Sequence, residues 1–511
     1  MPPWNKGELP EPPTFAWRKI FAMLGPGLFM AGAAIGGGEW LTGPVVTARY
    51  GGAMLWLATL SILGQVVYNV EVSRYTLYTG EPIFAGKFRT PPHPLFWLVV
   101  YLCFDIYMFF PFLAAAGATP LLAMIRGEIP NPSENPADEQ LLRAMAIGLF
   151  LLSLAPLIVG GKVYNSIKVL MTIKILVVMG FLVVLAGLFA TPQHWLEAGT
   201  GFFKFGTLPV AAEGDTAQVS NIIVDLCQGK SLPTIDWTMI GFLCALVAIS
   251  GNGGLGNSAV SNYTREQGWG MGAHVGAIPS LVGGRNIQLS HVGTVFEPTG
   301  EALERWRLWF RHVVRDQWGV WMPGCFVGVG LPAMMSLMFL PRGFYVDDQW
   351  RTAVFTADGI RDGIGGSTGQ VFWILTLFCG FLVLATGVTP AVDGFLRRWV
   401  DVIWIASPRA RKLEPSAIRY IYFGVLAVYA IFGVFMLTQE NPTTLLFIAA
   451  LISNFALGVT CMHTLVVNLT ILPRELRPGW FCRIALFLAG MFFLLVAVMA
   501  TCATLIKKGY L

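Results

Sequence analysis

The chain has 511 residues, 55% of them hydrophobic and only 12% charged, too little charge to cover the surface of a soluble protein of this length. Its 17 tryptophans and 36 phenylalanines suit the aromatic belts of a bilayer-spanning protein. The net charge of +5 is modest and no nucleic-acid partner is expected. Eight scattered cysteines with no CxxC exclude a disulfide framework and a structural zinc site.

In chain order, residues 1–17 form a polar, proline-rich tail with Glu8 and Glu11 and no cleavable signal peptide. Apolar runs long enough to span a hydrocarbon core then recur about eleven times, at 19–49, 53–79, 95–125, 141–160, 166–190, 237–265, 318–340, 370–404, 417–437, 443–472 and 482–506. Loops 74–94, 161–168, 265–317, 397–419 and 473–483 are basic. The positive-inside rule therefore places them, with the N-terminus, in the cytoplasm. Loop 191–236 is then external. Glu301–Phe310 in the loop 265–317 reads as an interfacial amphipathic helix. The expected product is a multi-pass integral protein of the cell or inner membrane, with lipid as a partner.

The first and sixth spans are interrupted. The first carries Gly36, Gly37, Gly38 and Glu39 near its middle, with Pro44 beyond. The sixth carries Gly251, Asn252, Gly253, Gly254, Gly256 and Asn257. Glycine costs about 1 kcal/mol per residue in a helix, so each cluster is a place to unwind. Unwound backbone at membrane depth is tolerated where it lines a cavity or is buried in protein. A carboxylate such as Glu39 at that depth calls for a cation, a partner or a proton. Five spans separate the two breaks, which is the pattern of an inverted-repeat transporter: a first repeat over 18–190, a second over 237–472, and an added helix within 473–511.

At these residues the chain resembles the Nramp family of divalent-metal transporters. Gly25-Pro26-Gly27 is similar to the family's GPG opening, and Ile35 to Trp40 to its IDPGNW segment. Arg74 with Thr79-Gly80, Thr264-Arg265, and Gly387 with Gly394 to Arg397 fit the ends of the second and sixth helices and the eighth helix. The resemblance implies an all-α, leucine-transporter-like 5+5 fold with broken helices 1 and 6, and a metal between them. Carried over, the family's aspartate becomes Gly36 and its asparagine becomes Glu39. The sixth-helix MPHN-like segment becomes Gly251-Asn252-Gly253-Gly254, losing the methionine and the histidine, and the carbonyl ligand falls at Ala248. The acidic DLAE-type pattern of the third helix is absent, with Phe112 and Ala115 about there. A site of carboxylate, amide and carbonyl oxygens suits hard ions such as Mg²⁺ or Mn²⁺, and a magnesium-transporting branch related to the family also lacks the methionine.

The expected function is alternating-access transport of a divalent metal ion as substrate, by a monomer with no cofactor and no enzymatic activity. The ligands are Glu39, Asn252 and backbone at Gly36, Ala248 and Gly251, and the hinges are Gly37, Gly38, Gly253 and Gly254. Asp105, Asn257 and Asn454 are pathway candidates, Asp105 serving either an ion path or an ion pair with Lys168 or Lys174. Glu71–Arg74 and Asp393–Arg397 read as structural pairs, and His463 as a satisfied core histidine. The rivals are an organic solute such as an amino acid or an organic cation on the same fold, and a non-transporting membrane sensor.

Overall fold

The computed structural model describes residues 3–13, 27, 30–31, 37–159, 162–211, 217–275, 292–346, 348–407 and 418–510. Helices α1 (Gly37–Tyr50) and α2 (Trp56–Thr79) meet at a bend of 94°. α1 is buried along its whole length, as a helix enclosed by others must be. α2 stops at Gly80, whose φ of 67° lets its N–H return to the Thr76 carbonyl, the usual left-handed glycine stop. After the short α3 (Ile83–Phe88), His93 caps α4 (Pro94–Asp105), with proline in the first turn.

α5 (Phe112–Arg126), α6 (Pro136–Val159) and α7 (Lys162–Phe189) follow. The segment expected outside carries a short helix, Pro192–Gly201, and a hairpin of β2 (Thr207–Val210) with β3 (Gln218–Asn221). The sixth span is two helices, α8 (Ile240–Ile249) and α9 (Ala259–Glu266), separated by irregular and 3₁₀ backbone. Then come α10 (Gly300–Asp316), α11 (Met322–Phe339), α12 (Gly366–Ala406), α13 (Ile418–Gln439), α14 (Pro442–Thr470) and α15 (Trp480–Lys507). α12 has 41 residues, roughly 60 Å at 1.5 Å per residue, so it projects beyond a bilayer.

Among the described residues eight helices are long and apolar enough to cross a membrane, and the bent pair α1–α2 makes a ninth if counted as one span. The expected eleven are not all reached by that measure. The first span's N-terminal half lies largely outside the described residues, and α7 qualifies only over Ile173–Phe189 as a shorter apolar helix.

One expected element is corrected. Glu301–Phe310 is not a helix to itself. It belongs to α10, which runs into α11 through a π-helical turn at Gln317–Trp321. Its Trp306 and Trp309 are buried: Trp306 lies under the Arg74 guanidinium of α2, and Trp309 packs on Trp269 and against the N-terminal tail. Trp309 donates to the Pro10 carbonyl at 2.9 Å, and Arg305 pairs with Glu11 at 3.1 Å. The tail also pairs β1 (Asn5–Lys6) in parallel with β4 (Thr294–Val295).

Candidate functional site

The break in the sixth span follows from its glycines. α8 ends at Ile249, and Gly251, Gly253 and Gly254 take φ of 127°, 62° and 45°, values that L-residues with side chains avoid. The chain therefore turns out of the helix at this point. Gly251 N–H folds back to the Ile249 carbonyl at 2.8 Å. The Ala248 carbonyl lacks the i+4 amide of an unbroken helix, and a side chain at Gly253 would collide with its oxygen. Gln65 of α2 holds the turn from behind. It accepts from Gly253 N at 3.2 Å and Asn257 Nδ2 at 2.7 Å, and donates to the Ser250 carbonyl at 3.0 Å.

Across the break stands α1. Its Glu39 is only 4% exposed. Gly38 lets α1 approach closely: a Cβ there would sit 2.8 Å from Ile249 Cβ. The α8 C-terminus favours a cation, through the partial charge of the Ala248 carbonyl left without its helical amide. Between α1 and the end of α8 lies a cavity of about 230 Å³. Its lining includes Gly37, Gly38, Glu39, Ala248, Gly251, Asn252 and Gly253. Six expected binding or hinge residues thus gather with Glu39 around one space. Gly254 is not on that wall, and Gly36 lies outside the described residues.

Other expectations divide. The Asn252 amide is already engaged, donating to the Met30 carbonyl at 3.2 Å and accepting from Trp321 Nε1 at 2.7 Å. One lone pair of its oxygen remains for a solute. Asn257 and Asn454 are buried away from the cavity wall, donating to Gln65 and to the Cys244 carbonyl. Asp105 is corrected: its partner is an arginine. Its carboxylate accepts from Arg398 at 2.7 and 2.8 Å and from Trp399 Nε1 at 2.8 Å. The pairs Glu71–Arg74 (2.8 Å) and Asp393–Arg397 (2.9 Å) form as expected. His463 is satisfied in the core by Thr90 and Tyr101, each at 2.7 Å.

The sequence reading missed much of the wall. Lys174 of α7 is 1% exposed, lines the cavity and interacts electrostatically with Glu39. Its signal was a lysine followed by an unbroken apolar run. Arg398 also reaches the lining, with Asp105 behind it, and Tyr107, Tyr263 and Tyr429 add aromatic wall. Two thioethers, Met30 and Met108, line the space although the sixth-span methionine is gone. Among the described residues no three His, Cys, Asp or Glu side chains gather, so a metal held here would rest on Glu39 and neutral oxygen or sulfur donors.

No family model matches the chain, and no curated protein matches it by sequence. Solved structures do. A crystal structure of a mutant of the Eremococcus coleocola manganese transporter aligns with a TM-score of 0.56 at 14% identity, covering 97% of this chain and 89% of that chain. A second mutant form gives 0.55 at 15% identity over the same shares. The same transporter bound to an aromatic bis-isothiourea compound gives 0.53 at 14%, again over the same shares. At such identities the likeness shows the fold: the leucine-transporter-like architecture of an Nramp-type transporter extends over nearly the whole chain.

Proposed function

We propose that this Nramp-related fold is a secondary transporter that carries a divalent cation through the cavity between α1 and the α8–α9 break. One observation supports this above the rest. A buried carboxylate, Glu39, lines the same cavity as Ala248, whose carbonyl a glycine-broken helix leaves without its i+4 amide, and as Asn252, so an anionic group and neutral oxygen donors share one space. In this reading Glu39 supplies the charge, and the Ala248 carbonyl and the Asn252 amide oxygen supply further ligands. Gly37, Gly38 and Gly251 to Gly254 allow the halves to rock. Oxygen donors favour Mg²⁺ or Mn²⁺, and the thioethers of Met30 and Met108 are the groups that would admit a softer ion. The manganese transporter with the same fold makes a metal cargo the natural first choice. The side with the tail and the basic loops is taken as cytoplasmic.

Uptake into proteoliposomes tests the reading. Glu39→Gln removes the charge at constant shape and is expected to lower Mn²⁺ uptake at least 100-fold while the protein stays folded; unchanged uptake refutes the assignment.

A second reading is favoured by Lys174. A cavity holding both a carboxylate and an ammonium group suits a solute with both charges, such as an amino acid. Calorimetry with metals and amino acids on purified protein separates the two, since each predicts heat from only one class.

A further inference from the structure

Away from the cavity, toward the face that carries the N-terminal tail, lies a cation the transport reading does not use. Lys87, in the short helix α3 between two spans, is 0% exposed. Among the described residues no carboxylate neutralises it. The nearby Glu81 is held by Arg89 (2.6 Å) and Tyr75 (2.6 Å), and Glu71 by Arg74. Its Nζ instead donates to Thr460 Oγ1 of α14 and sits over the rings of Tyr101 (4.7 Å), Phe84 (5.1 Å) and Tyr68 (5.8 Å). The other titratable groups facing it are Cys461 and His463 of α14, together with Tyr68 and Tyr101. On α12, which also packs against α3, Arg397 and Arg398 are paired with Asp393 and Asp105.

The cluster is wired to the broken span. Thr460 Oγ1 is paired with the Tyr68 hydroxyl at 3.1 Å, and Tyr68 with Ser258 Oγ at 2.8 Å. Ser258 lies at the junction into α9, the second half of the sixth span. A line of hydroxyls thus joins α3, α14, α2 and the segment that alternating access must move. A bare ammonium sealed among rings and hydroxyls costs several kcal/mol, which hydration removes. Opening the tail-side face would hydrate it.

We propose that Lys87 is a proton-binding site coupled to opening of the tail-side face: closed, its amine is neutral, and opening draws one proton from the water on that side onto Nζ. Burial lowers the amine from its ordinary 10.5 to about 7 where Lys87 is sealed as in this structure, and the closed form is taken to be so sealed. Between those values the open form holds the extra proton, so falling pH favours opening through that window. Below about 7 both forms are protonated and the effect is complete. The inference rests on the alternating-access reading but not on the cargo.

The test reads shape rather than transport. In the full-length chain, the accessible cysteines Cys103, Cys227, Cys482 and Cys502 are replaced and spin labels are placed through Gln267→Cys and Glu475→Cys, both exposed positions. Double electron–electron resonance in nanodiscs then follows the open-to-closed ratio. It is expected to rise at least tenfold from about pH 9 to pH 7 and to level off below. Lys87→Met is expected to hold the ratio at its high-pH value and Lys87→Arg at its low-pH value. The wild-type titration stands on its own should a variant fail to fold. Two distances whose ratio ignores pH, or a Lys87→Met chain that titrates like the wild type, overturn the proposal. A single distance at every pH, with and without saturating Mn²⁺, overturns it together with alternating access itself.

Discussion

Lys174 gives the sharpest prediction, because the two cargo readings assign it opposite effects. The cavity wall carries Glu39, Lys174 and Arg398, and Asp105 neutralises Arg398 from behind. The site is therefore balanced by Lys174 before any solute arrives. A space of about 230 Å³ has an equivalent radius of about 4 Å, and with the water radius added its wall lies about 5–6 Å from the centre. A dication and an ammonium at about 6 Å repel by about 5 kcal/mol at an effective dielectric of about 20. The flexible side chain can swing aside, so the measured effect is smaller. Lys174→Met is expected to tighten Mn²⁺ binding at least tenfold, about 1.4 kcal/mol, in calorimetry on purified protein. A weakened or unchanged Mn²⁺ affinity refutes the reasoning, and loss of amino-acid binding instead would favour the zwitterion reading.

Three further outcomes follow from the same wall. Asp105→Asn leaves Arg398 uncompensated at the cavity, so cation affinity falls and the thermal midpoint in detergent drops. Breaking a buried pair by removing one partner costs roughly 3–5 kcal/mol. Gly38→Val drives a side chain into Ile249, separating α1 from the break, and is expected to reduce uptake at least tenfold with little change in expression. Gln65→Leu removes the acceptor that ties Gly253 N and Asn257 to α2, and faster hydrogen exchange over 251–258 is expected by mass spectrometry.

The break in the sixth span was legible because glycines at positive φ leave a compositional trace, and Glu39 because a carboxylate inside an apolar run is rarely idle. Spans were legible from length and hydropathy, apart from their ends. Partnership was harder to read. Asp105 had two basic candidates, Lys168 and Lys174, and the packing of α12 against α4 supplies instead Arg398, which is 293 residues away in sequence. Likewise Glu301–Phe310 has the periodicity of an interfacial helix, yet its tryptophans pack on α2, on Trp269 and against the chain's own tail. An amphipathic stripe shows that a face is buried without showing what buries it. Lys174 was visible as a lysine but its cavity was not, since a wall built from several helices has no signature in any one of them.

The central claim is that a cation sits between Glu39 and the end of α8. Anomalous diffraction from crystals grown with Mn²⁺ addresses it directly. The account predicts one peak within about 2.5 Å of a Glu39 carboxylate oxygen and of the Ala248 carbonyl oxygen, absent in Glu39→Gln. A peak elsewhere, or an empty cavity at saturating Mn²⁺, contradicts it.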